Sequence, residues 1–340
     1  MNARLARRAA MLRQPMAALA TLLIVLASPG SIPSARAGDA GNYPNRPVRI
    51  VVPFGAGTQM DIAARLVGGK LAGSLGQAMV VENYPGASGN IGSEVVAKAP
   101  ADGYTLLFTG SLITLLPSTM GSRAVDPVAA FAPIGKVGEP PIVILVHPSL
   151  NVGSLTELVA LAKRRPGKIA YATAGIGTVQ HLVASIISRQ AGIEMIHVPY
   201  ANTGQALKDV LSGEVPVYFA FLGPTDTYLR SGRLRALAVA STRRMHAWPD
   251  IPTVAELGYQ EAAADPWNGV LAPAETPPEI VDLLYRELTR IVQLPDVRER
   301  FAQMGMEPVT TSPEQFRAEI KTAVARWPAV AKAAGVIPGR

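Results

Sequence analysis

The sequence predicts an α/β protein of two lobes, each built on a mixed, mostly parallel sheet with helices packed on it. Three observations predict it. Short β-branched runs alternate with amphipathic runs of helical spacing, the alternation occurs in two successive sets, and 49% hydrophobic with 17% charged residues supplies enough apolar surface for two cores. With a 37-residue leader set aside, the 340-residue chain still has the length of two domains of roughly 150 residues.

The first set opens with the strand Val48 to Pro53, continues into a helix carrying Ile62, Leu66 and Leu71, and returns as a strand at Met79 to Glu82. The same order runs on through Ile91 to Ala99, Thr105 to Thr109 and Ile142 to Val146. The second set reads as helix Leu155 to Arg165, strand Ile169 to Thr173, helix Leu182 to Gln190 and strand Met195 to Pro199. Helix Gln205 to Leu211 and strands Val215 to Ala220 and Leu234 to Ala240 complete it. Asn268 to Ala272 is one more strand, and the tail is helical at Pro278 to Leu294, Asp296 to Met304 and Pro313 to Ala334. Ser154-Leu155-Thr156-Glu157, Thr276-Pro277-Pro278-Glu279 and Ser312-Pro313-Glu314-Gln315 read as capping boxes. No internal repeat is apparent. Crossings near Gly138 to His147 and Ala262 to Asn268 divide the chain into lobe 1, residues 38–142 plus 267–340, and lobe 2, residues 143–266, with a hinge between them.

Residues 1–37 read as a secretory signal peptide. Arg4, Arg7, Arg8 and Arg13 form the positive head, Met16 to Ala27 the apolar core, and Ala35-Arg36-Ala37 the cleavage site. The apolar core is shorter than a bilayer span, so a cleaved leader and a soluble periplasmic protein are expected; an uncleaved anchor is the alternative. The signal carries five of the 32 basic residues and no acidic one, so the formal charge of +7 falls to +2 with it. No Lys/Arg cluster remains to follow a phosphate backbone, which disfavours nucleic acid as a partner. The absence of cysteine excludes disulfides, thiolate metal sites and thiol nucleophiles.

The features that carry chemistry are three glycine-rich turns between a strand and a helix: Pro53-Phe54-Gly55-Ala56-Gly57-Thr58, Pro85-Gly86-Ala87-Ser88-Gly89-Asn90 and Ala174-Gly175-Ile176-Gly177-Thr178. Glycine lets the backbone approach a guest, and the helix start behind it offers unpaired N–H groups and the positive end of a dipole. Thr58 and Asp61 have the spacing of an N-cap and its reciprocal partner, while the N–H groups from Gly57 to Met60 can hold a carboxylate; one arrangement permits both. The third glycine of a dinucleotide fingerprint is missing. No Gly-x-Ser-x-Gly elbow or His-Glu-x-x-His motif occurs, and His147, His181, His197 and His246 lack metal-ligand spacing, so no catalytic residue, metal or cofactor is expected. His181, in the first turn of its helix, either meets the cleft or makes a local structural bond. Phe54, Tyr200, Phe219, Phe221 and Trp267 are candidates for the cleft wall or the core. None of the three turns contains Arg or Lys, so an anion there is held by backbone dipoles and hydroxyls.

In these motifs the chain resembles the tripartite tricarboxylate transporter receptors, or Bug proteins. The likeness runs from Tyr43-Pro44-Asn45-Arg46-Pro47 through Gly89-Asn90-Ile91-Gly92, Asp102-Gly103-Tyr104, His197-Val198-Pro199-Tyr200 and Pro249-Asp250-Ile251-Pro252 to Leu271-Ala272-Pro273. The resemblance implies a Venus-flytrap fold, type II-like, that captures a small organic acid between its lobes as a monomer. Its partner is implied to be a membrane permease or, alternatively, a sensor kinase. Pro53, Phe54, Gly57 and Asp61 match the family's first motif, and Gly175, Gly177, Thr178 and His181 the later one. With Thr58, Gln59, Ser88, Tyr200, Ala220 and Phe221 they make up the candidate ligand-binding set. Relatives usually read Pro-Pro-Gly-Gly where this chain has Gly55-Ala56-Gly57-Thr58, Asp where it has Ala220, and Lys-Gly where it has Ala201-Asn202. The loss of two charged groups implies a more apolar cleft and favours an aromatic or monocarboxylic guest.

Overall fold

The computed structural model of the protein describes residues 42–333. The signal peptide, its cleavage after Ala37 and the last seven residues lie outside that range. Among the described residues no helix is long and apolar enough to cross a membrane.

The chain opens with β1 (Val48–Val52), α1 (Gln59–Leu75), β2 (Met79–Asn83), α2 (Asn90–Ala97) and β3 (Thr105–Gly110). The short helix α3 (Leu116–Met120) and the long strand β4 (Phe131–Glu139) follow. At Pro140-Pro141 the chain crosses to a second sheet with β5 (Ile142–Val146), α4 (Leu155–Arg164), β6 (Ala170–Thr173), α5 (Val179–Ala191), β7 (Ile196–Pro199), α6 (Thr203–Leu211), β8 (Val217–Phe221), α7 (Asp226–Arg230) and β9 (Arg235–Val239). It returns through Asp265-Pro266 into β10 (Asn268–Pro273), α8 (Pro278–Val292), α9 (Pro295–Gln303), β11 (Glu307–Pro308) and α10 (Pro313–Ala333).

The first sheet has the order β11-β4-β10-β3-β1-β2 and the second β7-β6-β8-β5-β9. Both contain the same unit, in which a first strand lies between the next two and pairs with each in parallel: β1 between β2 and β3, β6 between β7 and β8. This is a two-lobed α/β fold with mixed sheets. The sheets are mixed as expected: β1, β2, β3 and β4 run one way in the first sheet with β10 and β11 against them, and β5 alone runs against β6, β7, β8 and β9 in the second. Strands β5 and β10 adjoin the crossings, where the chain must reverse to change sheets.

Strands buried on both faces read as continuous apolar runs, and β5, with Ile142 to Val146 fully buried, is an example. Strand β4 is absent from the sequence reading because Pro133, Gly135 and Gly138 interrupt it. The structure seats Pro133 opposite Leu271, beside a register shift in the β4–β10 ladder, so the missing N–H falls where the ladder is already broken. Two of the three capping boxes form. Ser154 Oγ accepts from Glu157 N, and Ser312 and Gln315 exchange reciprocal bonds of 3.2 Å. The box at Thr276 does not: its hydroxyl donates to the Pro273 carbonyl at 2.8 Å, and Pro277 is the N-cap of α8. Helix α10 does not stay with the first sheet. Phe316 and Ile320 pack beside Leu271 and Trp267, whereas Trp327 and Ala331 enter the core around β5, β8 and α5.

Candidate functional site

The turns after β1 and β6 are two copies of one device. Gly55-Ala56-Gly57-Thr58-Gln59-Met60-Asp61 and Gly175-Ile176-Gly177-Thr178-Val179-Gln180-His181 share both glycines, the threonine and a terminal acceptor, a repeat too short for the sequence reading to register. Gly57 and Gly177 have φ of 79° and 76°, a left-handed conformation that glycine adopts without strain. Each threonine is the N-cap of its helix. Thr58 Oγ1 donates to Gly55 O and Thr178 Oγ1 to Gly175 O, both at 2.8 Å, and each accepts from the N–H three residues on. The seventh residue closes the loop backwards: Gly57 N donates to Asp61 Oδ2 at 2.9 Å, and Gly177 N to His181 Nδ1 at 3.2 Å.

The caps leave the N–H groups of Gln59, Met60, Val179 and Gln180 without an internal acceptor among the described residues. Both helix starts open onto a cavity of about 300 Å³, walled by Phe54, Met60 and Leu112 from the first sheet's side, Val179 and Phe221 from the second, and Pro140, Pro266 and Trp267 at the crossings. Among the described residues no Lys, Arg, Asp or Glu lines it. A cavity of similar volume, about 310 Å³, lies near Glu139, Arg243 and Arg244, away from the glycine turns. Its arginines are already paired with carboxylates, Arg243 with Glu139 at 2.8 Å and Arg244 with Glu256 at 2.9 Å, so the cavity between the helix starts is the candidate site.

Of the residues expected from sequence, Phe54, Thr58, Gln59, Thr178 and Phe221 line this cavity, and Ala220 lies in an adjoining one of about 140 Å³. Gly57, Gly175 and Gly177 shape the turns. Asp61 and His181 sit behind the walls, so His181 makes the local structural bond. Burial pushes the Asp61 carboxyl up, but Arg65, the Gly57 N–H and Asn83 outweigh it and hold the group below its ordinary value. Ser88 is exposed and lines no part of the cavity. Its loop is a support: a Cβ on Gly92 would come within 2.8 Å of Pro53 Cα, so Gly92 lets α2 press against the first turn. Tyr200 also lies off the wall, donating to Asp209 Oδ2 at 2.7 Å; burial and that carboxylate push its hydroxyl up to about 12.

Behind the second turn His181 stacks on His197 at 4.1 Å, and His197 on Tyr171 at 4.9 Å. His197 Nε2 lies 2.7 Å from the Thr173 hydroxyl, which accepts from Gly175 N. Burial holds His181 low, and burial together with the neighbouring His181 brings His197 down to about 4, so both rings are neutral at pH 7. Among the described residues no three His, Cys, Asp or Glu side chains converge as a metal requires.

Sequence reasoning missed Met60, Gln180, Asn268 and the two crossing prolines as wall residues. The signal for the first two was the repeat itself, which sets Met60 and Gln180 at equivalent positions.

Comparison with known proteins adds three findings. Residues 63–336 match the family model described as the tripartite tricarboxylate transporter family receptor. The protein BugT of Bordetella pertussis is 39% identical over 298 residues, covering 87% of this chain and 91% of its own. Among solved structures, an R. palustris protein with adipate is similar with a TM-score of 0.75 and 32% identity, covering 87% of this chain and 100% of its own. The periplasmic binding protein BugD is similar with a TM-score of 0.72 and 34% identity over the same shares.

Proposed function

The chain belongs to the tripartite tricarboxylate transporter family of receptors, and from that premise we propose that it captures a small organic acid between its lobes and hands it to a membrane permease. The observation that carries the reading is the set of four unoccupied N–H groups, on Gln59, Met60, Val179 and Gln180, converging from both lobes on a cavity without basic side chains. Two dipole ends aimed at one space favour a single carboxylate between them. Closure removes water and strengthens each bond, so affinity is coupled to lobe movement about the crossings at Pro140 and Pro266.

The chain acts by binding and release and not by catalysis: the buried titratable groups beside the turns, Asp61 and His181, are committed to holding Gly57 and Gly177. Receptors of this family are periplasmic binding proteins, and export with removal of residues 1–37 brings the chain to that compartment. The lobe division behind this reading is 38–142 plus 267–340 against 143–266.

The test is thermal unfolding of the mature protein with acetate, adipate and aromatic monocarboxylates. Saturation at about 100 times Kd contributes about 2.7 kcal/mol and raises Tm by several degrees. If no carboxylate moves Tm at millimolar excess, the reading falls.

A further inference from the structure

The cavity of about 140 Å³ beside the cleft opens on the far side of Gln180, which lines both spaces, and it reaches under Ala220 and Phe221 to Leu207 and Tyr218. Its walls carry no charged side chain. Gln180 is 5% exposed, its amide makes no hydrogen bond among the described residues, and what surface it keeps opens on the two cavities it lines. A primary amide offers two donors and an acceptor, and this one brings them to the cavity unmatched by the protein. Such a group at the mouth of an apolar recess points to a guest that supplies the missing partner.

We propose that this recess is a subsite for the uncharged body of the ligand and that Gln180 reads a hydroxyl, carbonyl or similar group on it, so that the guest is a ring-bearing monocarboxylate and not a dicarboxylate. The inference rests on the carboxylate reading above. An apolar cavity of about 150 Å³ accepts a benzene-sized group. A second carboxylate pushed into the same space loses its water with no cation to replace it. Ala220 leaves the recess open where a larger side chain on β8 fills it.

The experiment is titration calorimetry with acetate, adipate, phenylacetate and the three hydroxyphenylacetates on the mature protein, Gln180→Leu and Ala220→Leu, each variant first checked for a cooperative melt. Phenylacetate is expected to bind about tenfold or more tighter than acetate and adipate. At least one hydroxyphenylacetate should bind tighter still, and Gln180→Leu should erase that gain, so that the variant binds the hydroxyphenylacetates no tighter than phenylacetate. Ala220→Leu should reduce phenylacetate to the level of acetate, with Ala220→Val as the milder filling if Ala220→Leu does not fold. Adipate binding as tightly as phenylacetate, or Ala220→Leu leaving phenylacetate untouched, overturns the subsite. A hydroxyl that gains nothing, or a gain that survives Gln180→Leu, overturns the role of Gln180. If even acetate gives no heat and no shift in Tm, the carboxylate reading fails first and the subsite with it.

Discussion

At the scale of single residues, the acceptors behind the two turns differ in their chemistry, and the difference sets a pH dependence. His197 titrates near 4 in the folded protein against 6.5 when free, because burial and the stacked His181 oppose its charge. The unfolded chain therefore takes up a proton that the folded one refuses. Stability from this group is complete above pH 6.5 and declines as pH falls from there to about 4. Urea midpoints measured across that window should fall with pH, and His197→Phe, which keeps an aromatic ring between His181 and Tyr171, should flatten the decline. An unchanged slope in His197→Phe assigns the dependence elsewhere. Asp61 has the same sign in a more acidic window: its lowered titration contributes stability that is complete above the ordinary carboxylate value and is lost as pH falls through the lowered one. The Thr58 and Asp61 pairing was legible from Thr-x-x-Asp spacing alone. The role of His181 was not, since a histidine three residues into a helix serves a cleft or a backbone N–H equally well until the turn before it is folded. Gln180 was invisible for a related reason: nothing in its neighbours reveals that its amide meets the two cavities without a bond to the protein.

At the scale of elements, the caps at the starts of α1 and α5 stabilise the helices and also hold the donors open. Thr58→Val and Thr178→Val each remove one cap bond and the clamp on the preceding glycine carbonyl, so each should cost about 1 kcal/mol in denaturant unfolding. Each should also weaken carboxylate binding. Loss of stability with full affinity would separate the cap from the site. Gly92→Ala drives a methyl against Pro53 and should destabilise by more than either threonine change, through displacement of the first turn. The strands before both turns were legible because parallel strands buried on two faces leave unbroken apolar runs. Strand β4 was not, since its bulge accommodates the Pro and Gly that ordinarily end a strand. Thr276 failed as a cap because its hydroxyl turns back to the Pro273 carbonyl and Pro277 takes the N-cap position of α8.

At the scale of the whole molecule, the two sheets meet where Gly223, after β8, lies against Gly305, before β11, so closely that a Cβ on Gly223 collides with the Met304 carbonyl. His246 N also donates to Glu307 Oε1 at 3.0 Å along the same edge. Gly223→Ala should wedge this edge apart and lower carboxylate affinity by up to about tenfold as the closed population shrinks. Small-angle scattering should show a larger radius in the variant, and equal radii with equal affinity would remove the contact from the closing motion. Helix α10 ties the sheets a third time: Trp327 Nε1 donates to Thr114 Oγ1 at 2.9 Å, and Arg326 Nη1 to Ala263 O at 3.0 Å. This brace was illegible in a tail whose helical pattern gives no hint of which core it joins. The paired turns have a last consequence, one of heredity. A grip made of peptide groups survives almost any substitution that spares its glycines and threonines, so descendants of such a gene can exchange one metabolite for another by redrawing the walls while the anchor passes on unaltered.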